Sequence, residues 1–140
     1  MTLLGPGSAS PWEPVVGYRR IVVRGDTAWV SGTTATVDGV VVHPGDAAAQ
    51  ARVALESIAR ALADAGFTLG DVVRTRMFVT DISRWEAVGR VHGEFFGDVR
   101  PASTMVEVSR LIDPAMLVEI EADAVRVSEG VGTAVREPAA

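Results

Sequence analysis

The run PASTMVEVSRLIDPAMLVEIEADAVRV, residues 101–127, decides the fold. It divides into two strands, 103–109 and 117–127, separated by a loop that carries the turn signal Asp113-Pro114. Alternation in the second strand places Val118, Ile120, Ala122 and Ala124 on one face. Glu119, Glu121 and Asp123 fall on the other. The first set suits a core. Three acids in succession on the second are costly unless they meet water, cations or a ligand. Any function is therefore expected beside that acidic face.

Before this run the pattern alternates between helix and strand. Residues 84–96 read as a helix, with Ser83 as N-cap, Glu86 three residues on as a capping box, and Gly97 at its end. Residues 72–80 read as a strand in which Val73, Thr75, Met77 and Val79 alternate with Arg74, Arg76 and Phe78. Asp46 caps a longer helix that runs to about Ala65 and stops at Gly66. Its stripe of Ala48, Ala51, Leu55, Ile58, Leu62 and Ala65 is apolar, while Arg52, Glu56, Arg60 and Asp64 step along a solvated face. Nearer the N-terminus, strands at 19–24, 27–32 and 40–43 are punctuated by the hairpin signals Gly25-Asp26 and Asp38-Gly39.

The order is three strands, helix, strand, helix, two strands. Two helices cannot cover both faces of a six-stranded sheet, so one face must be buried otherwise. The face opposite the apolar set carries Glu119, Glu121, Arg74 and Arg76 together with Phe78 and Met105. Such a mixed surface suits a subunit interface with wet pockets, and a closed homo-oligomer is expected.

Composition narrows the classes. The chain has 140 residues, enough for one domain: a lead-in at 1–14, a folded unit at 15–127 and a mobile tail at 128–140. No cysteine is present, which removes disulfides, thiol catalysis and cysteine-ligated metals. A net charge of −5 disfavours a nucleic-acid partner, and no apolar run reaches a membrane span. The N-terminal residues lack the basic and apolar regions of a signal peptide, so a cytoplasmic protein acting on a small-molecule metabolite is expected, with no cofactor. His43 and His92 have no metal-ligand spacing, and no metal site is expected. Trp12, Trp29 and Trp85 are expected to pack in a core or interface, and Glu107 to be a buried structural acid.

Several ordered segments resemble the RidA/YjgF family, also called the endoribonuclease L-PSP or reactive-intermediate deaminase family. They are Val30-Ser31-Gly32, the run DAGFTLGDVVRTRMFVTDI at 64–82, Glu94-Phe95-Phe96, Pro101-Ala102, Met105-Val106-Glu107-Val108 and Val118-Glu119-Ile120-Glu121-Ala122. The resemblance spans about residues 15–127. It implies an α+β, chorismate-mutase-like fold, a homotrimer with clefts between subunits, and hydrolysis of enamines and imines to ketoacids and ammonia. It also implies site residues. Tyr18 and Ser31 match residues near the cleft, and Glu119 matches a glutamate that contacts water or ligand. The arginine that clamps a substrate carboxylate in deaminating members is replaced by Ser103, followed by Thr104. A helix asparagine becomes Gly89, and a frequent cysteine becomes Met105.

The lost arginine matters because a guanidinium holds a carboxylate through two charge-assisted hydrogen bonds that a hydroxyl cannot reproduce. Either the ligand lacks that carboxylate or another cation, Arg76 or Arg74, supplies the contact. Those arginines can equally pair with acids across strands as a structural network. Glu119 is the candidate catalytic residue, and Tyr18, Ser31, Ser103, Thr104 and Arg76 are candidate substrate contacts. The function expected is hydrolysis of an enamine, imine or related reactive metabolite, other than the standard activity on 2-aminoacrylate. The alternative is a metabolite-binding trimer without turnover. RNA cleavage fits the acidic charge poorly.

Overall fold

The computed structural model describes residues 10–127. A π-helical turn at Glu13–Gly17 leads into β1 (Ile21–Arg24), β2 (Thr27–Thr33), β3 (Thr36–Val37) and β4 (Val40–Val41). Then come α1 (Ala47–Asp64), β5 (Val72–Val79), α2 (Trp85–Phe96), β6 (Ala102–Glu107) and β7 (Val118–Val125). The main sheet has the order β1-β2-β7-β5-β6, so the acid-bearing strand is its centre. Five strands make this sheet rather than six, because the expected strand at 40–43 pairs only with β3 in a separate two-stranded ribbon. β6 runs parallel to β5, as a strand returning through a helix can, and the other pairings are antiparallel. The tail at 128–140 and residues 1–9 lie outside the described residues.

Both helices lie on one face. Leu55, Ile58 and Leu62 of α1 and Val88, Val91 and Phe96 of α2 join one cluster with Val118, Ile120, Ala122 and Ala124. All ten are buried, and each of the larger aliphatic or aromatic side chains contributes roughly 1.5–3 kcal/mol. Asp46 caps α1 by accepting the Ala49 amide at 3.0 Å, and Gly66, at φ +84°, takes the left-handed conformation that ends it. Asp38 and Gly39 are both at positive φ, as a two-residue hairpin requires.

Several side chains depart from the simple periodic reading. A bulge between Val72 and Arg74 buries Val72 and leaves Val73 47% exposed, so Val73 does not join Thr75, Met77 and Val79. Met105 pairs in register with Met77 and packs toward the helices, not on the acidic face. Ser83 does not cap α2. Asp81 accepts its amide and hydroxyl at 3.0 and 2.6 Å, nucleating a 3-10 turn at Ile82–Arg84 before α2 begins. Glu107 is exposed and accepts the Ile82 amide at 3.1 Å. Trp12, Trp29 and Trp85 lie on the surface of the single chain. No described helix is long and apolar enough to cross a membrane.

Candidate functional site

The face of the sheet away from the helices is open. Glu119, Glu121 and Asp123 project onto it from β7, Arg76 and Phe78 from β5, and Trp29 from β2. At one end of this face lies an open depression of about 290 Å³, lined by Gly32, Phe78, Val108, Arg110, Leu111, Glu119 and Glu121. A second recess, of about 670 Å³, continues over Arg110, Leu111, Ile112 and Pro114 and again includes Glu119. Glu119 joins the two.

Its position depends on an irregularity in β2. The register between β2 and β7 shifts between Val30 and Thr33, so Ser31 and Gly32 leave the regular ladder beside Glu119. A Cβ at Gly32 would run into the Glu119 carboxylate, so only glycine allows this approach. Arg20 fixes the irregular backbone. Its Nη1 donates to Gly32 O at 3.0 Å, to Ser31 O at 3.4 Å and to Thr33 Oγ1 at 2.7 Å. The buried Glu13 carboxylate accepts the Arg20 amide at 2.9 Å. Neither Arg20 nor Glu13 is legible in the sequence as a site residue, because Arg20 holds groups 11 to 13 residues away at the bulge and Glu13 holds the Arg20 backbone amide.

The opposite wall is the loop between β6 and β7. Gln50, fully buried in α1, donates to His43 O at 3.2 Å and to Ala115 O at 2.8 Å, and accepts the Leu117 amide at 2.8 Å. One helix side chain thus holds the loop that presents Arg110 and Leu111. A lone polar residue on an apolar helical stripe was the only signal for it.

Half-burial raises the Glu119 pKa above the ordinary glutamate value, and the charge of Glu121 raises it further. Arg20 opposes the shift in part. A carboxyl group in that state can hold or take up a proton closer to neutrality than a solvated one. Arg76 is otherwise occupied. Its Nη1 lies 3.3 Å from both Glu121 Oε1 and Asp123 Oδ2, forming a cross-strand network on the open face.

The remaining expected contacts fall in different places. Ser31, in β2, donates its hydroxyl to Arg19 O at 2.5 Å, and the Tyr18 hydroxyl lies 3.3 Å from Ser10 Oγ, so both side chains are tied to the segment that leads into β1. Thr104 is in register with Arg76 and shares the open face. Ser103 is in register with Thr75 and points to the helix side, where Thr75 Oγ1 donates to it at 2.8 Å. Within one chain the sheet separates Ser103 from Glu119. Among the described residues no three His, Asp or Glu side chains are grouped to hold a metal ion.

The endoribonuclease L-PSP family matches residues 8–126. The crystal structure of Rv2704 from Mycobacterium tuberculosis, a YjgF/YER057c/UK114 family member, is 52% identical. It superposes with a TM-score of 0.79 over 89% of this chain and 98% of that one. E. coli TdcF, solved with bound serine, is 29% identical with a TM-score of 0.73, covering 91% of this chain and 97% of that one. A 3-aminoacrylate deaminase, RutC of Acinetobacter baylyi, is 44% identical over 80 residues, 57% of this chain and 63% of that protein. With its α+β layers and central acidic strand, this chain belongs to the endoribonuclease L-PSP, or RidA/YjgF, family of deaminase-type and small-molecule-binding proteins.

Proposed function

We propose that this protein hydrolyses a small imine, or an enamine through its imine tautomer, in clefts formed between three copies of the chain. The observation that carries the reading is Glu119, a half-buried carboxyl group with a raised pKa at the junction of two recesses. An enamine is first protonated on carbon, giving the iminium ion, which is the protonated form of the imine. Water then adds to the C=N carbon, and Glu119 takes the proton that water loses. The carbinolamine formed carries both hydroxyl and amine. Glu119 returns its proton to nitrogen, ammonia leaves, the C=O bond forms with an electron pair of the hydroxyl oxygen, and that hydroxyl's proton is released to water. The net change is imine plus water to carbonyl plus ammonia, with no covalent enzyme intermediate.

The trimer is part of the proposal. Trp29, 44% exposed, lies on an open face with Phe78 and the Arg76 network, a surface with the mixed character of an interface core and rim. Only a neighbouring copy can bring a Ser103 edge against a Glu119 recess, since one chain holds them on opposite sides of its sheet. The deaminase relative and the serine-bound relative support small-molecule chemistry at such a site. An acidic chain with an acidic open face gives little support to RNA cleavage. We place the activity in the cytoplasm.

The test is to generate imines in situ with an amino-acid oxidase and enamines with a dehydratase, and to time their decay. Accelerated decay with wild type, lost in Glu119→Gln, supports hydrolysis. Saturable binding that stabilises the fold without accelerated decay replaces it with a binding role.

A further inference from the structure

On the helix side of the sheet, three polar side chains form a hydrogen-bonded chain that the hydrolysis above does not use. His92 Nε2 on α2 lies 2.8 Å from Thr75 Oγ1 on β5, which in turn lies 2.8 Å from Ser103 Oγ on β6. Their accessibility differs. Thr75 is fully buried, His92 is half-buried against the Phe96 ring at 4.7 Å, and Ser103 is exposed on the outermost strand. The middle of the chain is sealed, and its Ser103 end opens outward. Gly89, one turn before His92 on α2, has no side chain, and nothing fills the space where its Cβ would stand.

The direction of the chain follows from counting protons. A threonine hydroxyl has one proton to donate. Thr75 gives it to Ser103, so Thr75 must accept from His92, and the imidazole carries its proton on Nε2. Burial lowers the His92 pKa, which favours the neutral ring. With Ser103 already accepting from Thr75, its own O–H is left to point outward. Successive hydrogen bonds in one direction polarise each other, which strengthens that terminal donor. The donor is nevertheless uncharged. It suits a carbonyl or amide oxygen, whereas a carboxylate gains most from a guanidinium fork, which position 103 does not offer.

We infer that Ser103 is the outward donor of a His92–Thr75–Ser103 chain that recognises an uncharged acceptor on the ligand, a carbonyl or amide oxygen, in preference to a carboxylate. The inference rests on the proposed function for the existence of a small-molecule ligand and narrows its class: the end that docks at β6 is neutral. Thr75 and His92 are positioning residues that act through Ser103.

The experiment follows the His92 ring by ¹⁵N NMR in the intact protein while pyruvamide or pyruvate is titrated in. The two probes have the same size and differ in charge at one end. The resting ring is expected to be the Nε2–H tautomer. Pyruvamide is expected to move the His92 signal saturably, and pyruvate to bind about ten-fold more weakly or worse, because its carboxylate gives up water with no counter-charge at position 103. Ser103→Ala, at an exposed position, and Thr75→Val, nearly isosteric, should each weaken pyruvamide by a similar factor. A resting Nδ1–H tautomer, pyruvate binding as tightly as pyruvamide, or no response to either probe overturns the inference. So does pyruvamide affinity unchanged in Ser103→Ala, whatever the stability of Thr75→Val. No turnover is read, so the two proposals fail separately. Pyruvamide binding without imine hydrolysis sinks the hydrolase, whereas hydrolysis without pyruvamide binding sinks only the neutral-acceptor reading.

Discussion

The two faces of β7 are built from adjacent residues and are opposed in character. Val118, Ile120, Ala122 and Ala124 are sealed under α1 and α2, while Glu119, Glu121 and Asp123 stand on the face the helices leave open. A central strand with neighbours on both sides cannot shift to relieve either face, because a one-residue slip would bury the acids and expose the aliphatics. The apolar face therefore fixes where the carboxylates stand. Stability is concentrated on one side and chemistry on the other, a separation that substitutions one residue apart should expose.

The largest effect is expected at Ile120. Ile120→Ala removes a fully buried side chain and should cost about 2–5 kcal/mol in urea denaturation. Glu121→Gln, its neighbour, should cost under about 1 kcal/mol, since the Arg76 pair it disrupts is partly exposed. Equal losses at the two positions would break the contrast between faces.

Gln50→Leu links the faces from a distance. It leaves the Leu117 amide and two carbonyls without their partner and should cost about 1–3 kcal/mol. Faster hydrogen exchange of the Ala115 and Leu117 amides would show the loop at 108–117 loosening while β7 stays protected. Gly32→Ala should cost about 1 kcal/mol or less, because the Glu119 side chain can swing away from the added methyl group, and should impair turnover by displacing that carboxylate. Restoration of stability in the double variant with Glu119→Ala would identify that contact as the cause.

The smallest effect is a pH dependence. The folded state raises the Glu119 pKa, so the protonated form is favoured by folding. That contribution is full below the ordinary glutamate value of 4.5 and is lost as pH rises through the higher folded value. Glu119→Gln should thus gain stability relative to wild type as pH rises across this window, measured as urea midpoints. A relative gain on acidification would reverse the assigned cause.

Much of the architecture was legible because local chemistry and global fold agree. Asp46 and Gly66 bracket α1, and Gly25-Asp26 and Asp38-Gly39 make turns, because each supplies a cap or a backbone conformation nothing nearby contests. The alternation in β7 reads directly as burial. Bulges were not legible. They add a residue without changing composition, so Val73 reads as core and Ser31-Gly32 as an ordinary strand end. Ser103 and Thr104 look like one polar pair in the sequence, yet neighbours on a strand face opposite ways, and the register with Thr75 and Arg76 sends them to different faces. Gln50 and Arg20 act on backbone carbonyls and amides distant in sequence, and a sequence carries no mark of such partners.

The most direct test of the division between faces is a paired measurement on Glu119→Gln: single-turnover decay of an imine generated in situ, and thermal unfolding of the same sample. The separation of roles predicts a loss of about 10²–10⁴-fold in the catalysed rate with the melting temperature held or raised. Hydrolysis at the wild-type rate, or a rate lost only in proportion to unfolded protein, would contradict it.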